Sequence, residues 1–123
     1  MTAKEFILQK SKEFSIPKKK ILKTKDIGRK GHLIHVIEAR TFMKQYDTER
    51  KVFVIERIKL IEEVGKVVEK KKIGSIQYRF GYYIIGKIGN REGKWTWGQF
   101  CPIIPDKDFW KLIELAKKEK TFL

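Results

Sequence analysis

Across 123 residues, 29 Lys plus Arg stand against 15 Asp plus Glu, a formal net charge of +14 at neutral pH, with 41% hydrophobic and 36% charged residues. The length fits one domain and suffices to bury a core without disulfides or a structural metal. A single cysteine, Cys101, excludes an intrachain disulfide and suits a reducing cytoplasm, while no apolar run approaches the roughly 18 residues that span a bilayer or the long apolar core of a secretory leader, so a cytoplasmic protein without membrane spans is expected.

Residues 2–14 read as a short helix. Thr2 and Glu5 form an S/T-x-x-E capping box, Phe6 and Ile7 offer an apolar side for docking, and Pro17 closes the segment. Residues 17–31 carry Lys18, Lys19, Lys20, Lys23, Lys25, Arg29 and Lys30 against Asp26 alone, and read as an exposed basic arm or loop. Half of the net charge lies in residues 1–31, with ten cations and three anions.

From His32 the pattern turns to strands. Residues 33–43 are β-branched and apolar, 45–49 with Asp47 read as a turn, and 51–60 resume strand character. Gly65 marks a turn or bulge before a basic stretch that holds Lys66, Lys70, Lys71 and Lys72. Residues 75–88 alternate strictly: Ile76, Tyr78, Phe80, Tyr82 and Ile84 share one face, and Gln77, Arg79, Gly81, Tyr83 and Lys87 the other. Gly86 interrupts the row and permits a bend or close packing. Residues 89–93 read as a hairpin loop, because Gly89-Asn90 and Glu92-Gly93 supply positive-φ positions, and 94–101 return antiparallel with Trp95, Trp97 and Phe100. Pro102 and Pro105 break the pattern, Asp106 is the expected N-cap of a final helix over 106–119, and Phe109, Leu112, Ile113 and Ala116 form its apolar stripe, with Trp110 and Leu115 at the edges.

The expected architecture is therefore a single α+β domain over 1–123: a short helix in 1–16, a basic arm in 17–31, an antiparallel meander of four or five strands in 32–101, and a C-terminal helix on one sheet face. The second face is left for solvent, a dimer partner or a ligand.

The charge points to a polyanionic partner, because cations that meet phosphates release condensed counterions. Nucleic acid comes first, ahead of an anionic membrane surface and an acidic protein partner. Nine of the 15 aromatics fall between Tyr78 and Trp110, interleaved with Arg79, Lys87, Arg91, Lys94 and Lys111. Rings among cations suit base stacking beside a phosphate track. The bland alternative is that Tyr78, Phe80 and Tyr82 are core under the final helix, which their shared face favours. Tyr83, Trp95 and Trp97 are the stacking candidates, or else an interface between copies. The expected contacts are Lys18, Lys19, Lys20, Lys23, Lys25, Arg29, Lys30, Lys66, Lys70, Lys71 and Lys72 to phosphates, with Arg79, Tyr83, Lys87, Arg91, Lys94, Trp95 and Trp97 engaging bases or backbone.

Motifs for chemistry are sparse. Neither G-x-x-x-x-G-K-[ST] nor G-x-G-x-x-G occurs, and His32 and His35, three apart on a strand, face opposite ways, so no cofactor or metal is expected. Cys101 in its apolar stretch reads as a small core residue. Glu69-Lys70-Lys71, with Asp47 or Glu56 as a first acid, gives a minor alternative of a Mg²⁺-dependent nuclease. Glu38 and Glu56 can instead form buried ion pairs with Arg40 or Arg57. Lys at 23 residues against 6 Arg, with abundant Ile and one Asn, fits the composition of hyperthermophile proteins and equally that of an AT-rich genome.

The order of elements from about Lys51 to Lys120, with the stretch from Trp97-Gly98 to Leu115, resembles the layout of single-strand DNA-binding proteins of the positive-cofactor-four and Whirly types. That resemblance implies a dimer. The expectation from the sequence is a non-enzymatic, basic nucleic-acid-binding protein of low sequence specificity that acts on single strands. A protein-interaction or dimerisation module with an aromatic sheet face is the main alternative.

Overall fold

The computed structural model describes residues 1–25, 31–65, 72–87 and 89–123, with Lys25 described by its backbone alone. Helix α1 (Ala3–Glu13) leads through a 3-10 turn (Pro17–Lys20) into strands β1 (Ile21–Lys25), β2 (His32–Lys44), β3 (Lys51–Val64), β4 (Ile76–Ile85) and β5 (Trp95–Trp97), and helix α2 (Asp106–Lys118) closes the chain. The five strands form one curled antiparallel sheet in sequence order, the α+β meander expected from the alternation. One boundary is corrected: residues 21–25, read as part of a loose arm, pair as β1 with the start of β2, Ile21 opposite Val36 and Lys25 opposite His32. The β-branched and apolar residues Ile21, Leu22 and Thr24 satisfy an edge that lysine counting alone hides. Arg29, Lys30, Lys66, Lys70, Lys71 and the Glu69-Lys70-Lys71 tripeptide lie outside the described residues.

Alternation along β3 builds two cores. Phe53 and Ile55 face α2 and pack with Tyr82, Leu112 and Ala116, joined by Phe80, Ile84, Ile113 and Phe122. Val52 faces the other way and packs with Ala3 and Phe6 of α1, joined by Ile7, Phe42, Tyr83 and Trp95. Each sheet face therefore carries a helix, and the second face is not left open at this end. Tyr78 stays partly exposed at the margin of the first core, edge-on to Phe122 at 5.1 Å. Two register shifts between β2 and β3, at Ile34/His35 and Ile37/Ala39, break the ladder where extra residues bend the strands. His35, Ile37, Ile58 and Leu60 are buried along this bent half of the sheet.

The capping box at α1 forms as expected: Glu5 N donates to Thr2 Oγ1 at 3.1 Å and Thr2 N donates to Glu5 Oε1 at 3.1 Å. These bonds to Thr2 hold the Glu5 carboxyl below its ordinary value, so their support is present at neutral pH and lost on acidification through that lowered value. Thr2→Ala should cost about 1 kcal/mol, read as a lowered urea midpoint with an unchanged slope. At α2 the N-cap is Pro105 rather than Asp106, which occupies the first helical position. Asp108 accepts from Tyr46 N at 3.1 Å instead, so the helix start is tied to the β2–β3 turn.

Candidate nucleic-acid interface

The tryptophans expected to present themselves to bases are largely spoken for. Trp95 stacks on Phe6 with ring centroids 4.7 Å apart and planes 15° from parallel, and its Nε1 donates to the Met1 carbonyl at 3.0 Å. Trp97 lies edge-on to Tyr83 at 5.2 Å and under the Arg79 guanidinium, whose carbon sits 4.2 Å from the ring centroid. Gly81 is what admits that ring, since a Cβ there would collide with the Trp97 six-membered ring. Tyr83 is wedged between Phe6 at 5.0 Å and Trp97, with the Lys10 ammonium 5.2 Å from its ring. The shared direction of Trp95 and Trp97 follows their alternation, but α1 arrives over Trp95 because Phe6 and Ala3 need an apolar seat. Burial, with the Glu56 charge behind it, raises the Tyr83 hydroxyl above its ordinary value. A raised phenol stabilises the fold below about pH 10 and loses that contribution as pH rises through the higher folded value. Tyr83→Phe should flatten the loss of stability above about pH 10, checked by urea midpoints across an alkaline series.

Three strands place a charged row across the sheet. Arg40, Glu56 and Arg79 are direct cross-strand neighbours on β2, β3 and β4. Arg79 puts Nε at 2.7 Å and Nη2 at 2.6 Å from the same Glu56 oxygen. Arg40 Nε lies 3.1 Å from the other oxygen without being aimed at it, so that contact is electrostatic rather than a directed hydrogen bond. Glu56 is fully buried. The row is braced at both ends by aromatic rings, Trp97 under Arg79 and Phe14 beneath Arg40 at 5.4 Å. Arg57 instead pairs with Glu38 at 3.2 Å and donates to the carbonyls of Lys120 and Thr121. The ion-pair reading of Glu38 and Glu56 thus holds, with Arg79 as an unforeseen third member. A carboxylate clasped by two guanidiniums is a poor metal ligand, and among the described residues no group of three or more His, Cys, Asp or Glu side chains could hold a metal.

The expected cations separate in space. Lys18 and Lys19 are exposed on the turn before β1, Lys20 lies over the Phe14 ring at 4.5 Å, and Lys23 is exposed on the edge strand. Lys25 and Lys72 stand where β1 ends and β4 approaches, at the end of the sheet where His32 pairs with Val64. Lys87, Arg91 and Lys94 are exposed at the opposite end, around the β4–β5 connection, where Gly86 N donates to the Lys94 carbonyl at 3.0 Å. Strand β3 alone, at roughly 3.3 Å per residue, separates those ends by tens of ångströms. Among the described residues, the expected cations therefore fall in several patches.

No family model, curated protein or solved structure matches this chain. Among the described residues, the exposed aromatics are Tyr46, Tyr78, Phe100 and Trp110; the Tyr46 ring lies 4.7 Å from the Lys107 ammonium of α2, the helix that also carries Trp110. Neither was selected from the sequence. A helical projection of residues 106–118 puts Trp110 at the rim of the apolar stripe, on the side where the lysines begin. Cys101 is exposed rather than core, because β5 ends at Trp97 and the Pro102–Pro105 stretch runs over the surface. Among the described residues, no helix is long and apolar enough to cross a membrane.

Proposed function

We propose that this protein binds nucleic acid with little or no sequence specificity, holding phosphates through unpaired surface lysines. The observation that carries the reading is where the carboxylates go. Glu5 closes a cap, Glu13 pairs with Lys10, Glu38 with Arg57, Glu49 with Lys44, and Glu56 with two arginines, while Asp108 takes a backbone donor. Lys18, Lys19, Lys23, Lys72, Lys87, Arg91, Lys94, Lys111, Lys117 and Lys118 are exposed, and none of them has a salt-bridge partner among the described residues. A surface whose cations outnumber its anions and are free of ion pairs is neutralised by a chain of phosphates, and the release of small ions drives the association. Patches on several sides suit backbone contact that reads no sequence.

Fluorescence anisotropy with labelled oligonucleotides of unrelated sequence, over a series of salt concentrations, tests this. Affinity should fall linearly on a log–log plot, with similar slopes for every sequence. Changing Lys18, Lys19 and Lys20 together to Gln should shallow the slope by roughly two for single strands, weakening all sequences alike. Absence of binding at low ionic strength overturns the proposal.

A further inference from the structure

We propose that the outward face of α2 is the surface on which single-stranded nucleic acid lies, with Trp110 as a base-stacking platform; this rests on the nucleic-acid reading above. At 3.6 residues per turn, Lys107, Trp110, Lys111, Glu114, Lys117 and Lys118 fall within an arc of about 120°. The opposite side of the helix holds the buried Asp108, Leu112 and Ala116. Trp110 is 61% exposed, the most open of the three tryptophans, whereas Trp95 and Trp97 are half-buried. Its neighbour Phe109 meets it edge-on, with centroids 5.0 Å apart and planes at 82°, which fixes the indole from one side and leaves the rest to solvent.

The charges complete the match to a strand of phosphates. Lys107, Lys111 and Lys118 run along the helix for about 16 Å at 1.5 Å per residue, with Lys117 alongside and Glu114 as the one opposing charge. Tyr46, itself 51% exposed, flanks the far side of this ridge: its ring lies 4.7 Å from the Lys107 ammonium and its backbone N binds Asp108. An open ring on each side of a lysine row offers π faces to bases and ammonium groups to the backbone between them. A lipid interface fits less well, because insertion of a helix needs a broad apolar face and this arc has one ring among charged residues. A protein partner would likewise find little apolar surface to bury here.

The test uses the full chain and two variants, Trp110→Ala and Trp110→Phe, with a poly-thymidine single strand and a duplex as probes. Trp110 is exposed, so both variants should keep the wild-type thermal midpoint. Trp110→Ala should weaken single-strand binding roughly ten- to hundredfold and remove most of the tryptophan quenching. Its salt slope should not change, and duplex affinity should fall much less because duplex bases are already stacked. Trp110→Phe should recover part of the loss. Single-strand affinity unchanged in Trp110→Ala overturns this placement while leaving the broader reading intact, and so does quenching by anionic phosphatidylserine vesicles but not by oligonucleotide. Failure of the wild-type protein to bind either probe at low salt overturns both.

Discussion

Replacing Glu56 with Ala should lower the free energy of unfolding by about 3–5 kcal/mol, the range for breaking a buried ion pair by removing one member. Wild-type Glu56 is the one acid between Arg40 and Arg79, and it has no exposed surface. Without it, two guanidiniums face each other across β3. Arg79, with 30% of its side chain exposed, can turn partly toward water, but Arg40, with 9%, cannot readily do so. The loss therefore sits on Arg40, and a shift of the thermal midpoint of roughly 10–20 °C follows for a chain of this size. Removing all three charges tests the cause. A triple change of Arg40→Met, Glu56→Leu and Arg79→Met keeps the volume, deletes the desolvation cost, and should return most of the stability. A Glu56→Ala protein with a wild-type urea midpoint would mean that both guanidiniums reach solvent, contrary to the packing of Phe14 and Trp97 on them.

That row shows what kind of information the sequence holds. Period-two alternation named the strands and both faces of β4, and the capping box at Thr2 and Glu5 was legible from spacing alone. Glu38 and Glu56 were legible as ion-pair members because isolated acids inside strand segments need partners. Arg79 was not assigned to Glu56, since a cross-strand neighbour depends on register and register depends on where the bulges fall. The basic stretch at 17–31 hid β1 because lysine density looks the same on an edge strand and in a loop. An edge strand carrying lysines also resists pairing with other chains, so the charge has a structural use there besides any ligand.

The candidate site was less legible than the fold, for a related reason. Counting aromatics near cations found the hairpin of Tyr83, Trp95 and Trp97, but local sequence cannot tell which face a distant helix covers. Phe6, some 90 positions from Trp95, decides that face. Trp110 shows the converse: helical periodicity puts it at the rim of the apolar stripe, next to the lysine-bearing side, and it is exposed there. Exposed tryptophans on helices are thus a better sequence guide to a contact surface than tryptophans on strands, whose partners are non-local.

Phe6→Ala should cost about 3–5 kcal/mol, as for a large buried ring removed from a packed site, and its consequence should be confined at first to one face of the sheet. Phe6 is 4% exposed and touches both Trp95 and Tyr83. Helix α1 has 11 residues, too few to hold its shape in water without tertiary contacts, so loss of its anchor should undock it rather than leave a hole beneath it. Trp95 would then lose its stacking partner and its bond to Met1, and its emission should shift to longer wavelength with increased quenching by acrylamide. A background of Trp97→Phe and Trp110→Phe isolates the signal, leaving Trp95 as the one tryptophan. The newly bared face, with Val52, Phe42, Tyr83 and both hairpin tryptophans, joins apolar and aromatic groups into one patch, which favours self-association. Light scattering should report that association in Phe6→Ala and not in Thr2→Ala, whose loss of a cap weakens the same helix by only about 1 kcal/mol. If Trp95 emission stays where it was in Phe6→Ala, α1 is held by something other than this ring. The aromatic face is then more deeply closed than these contacts imply.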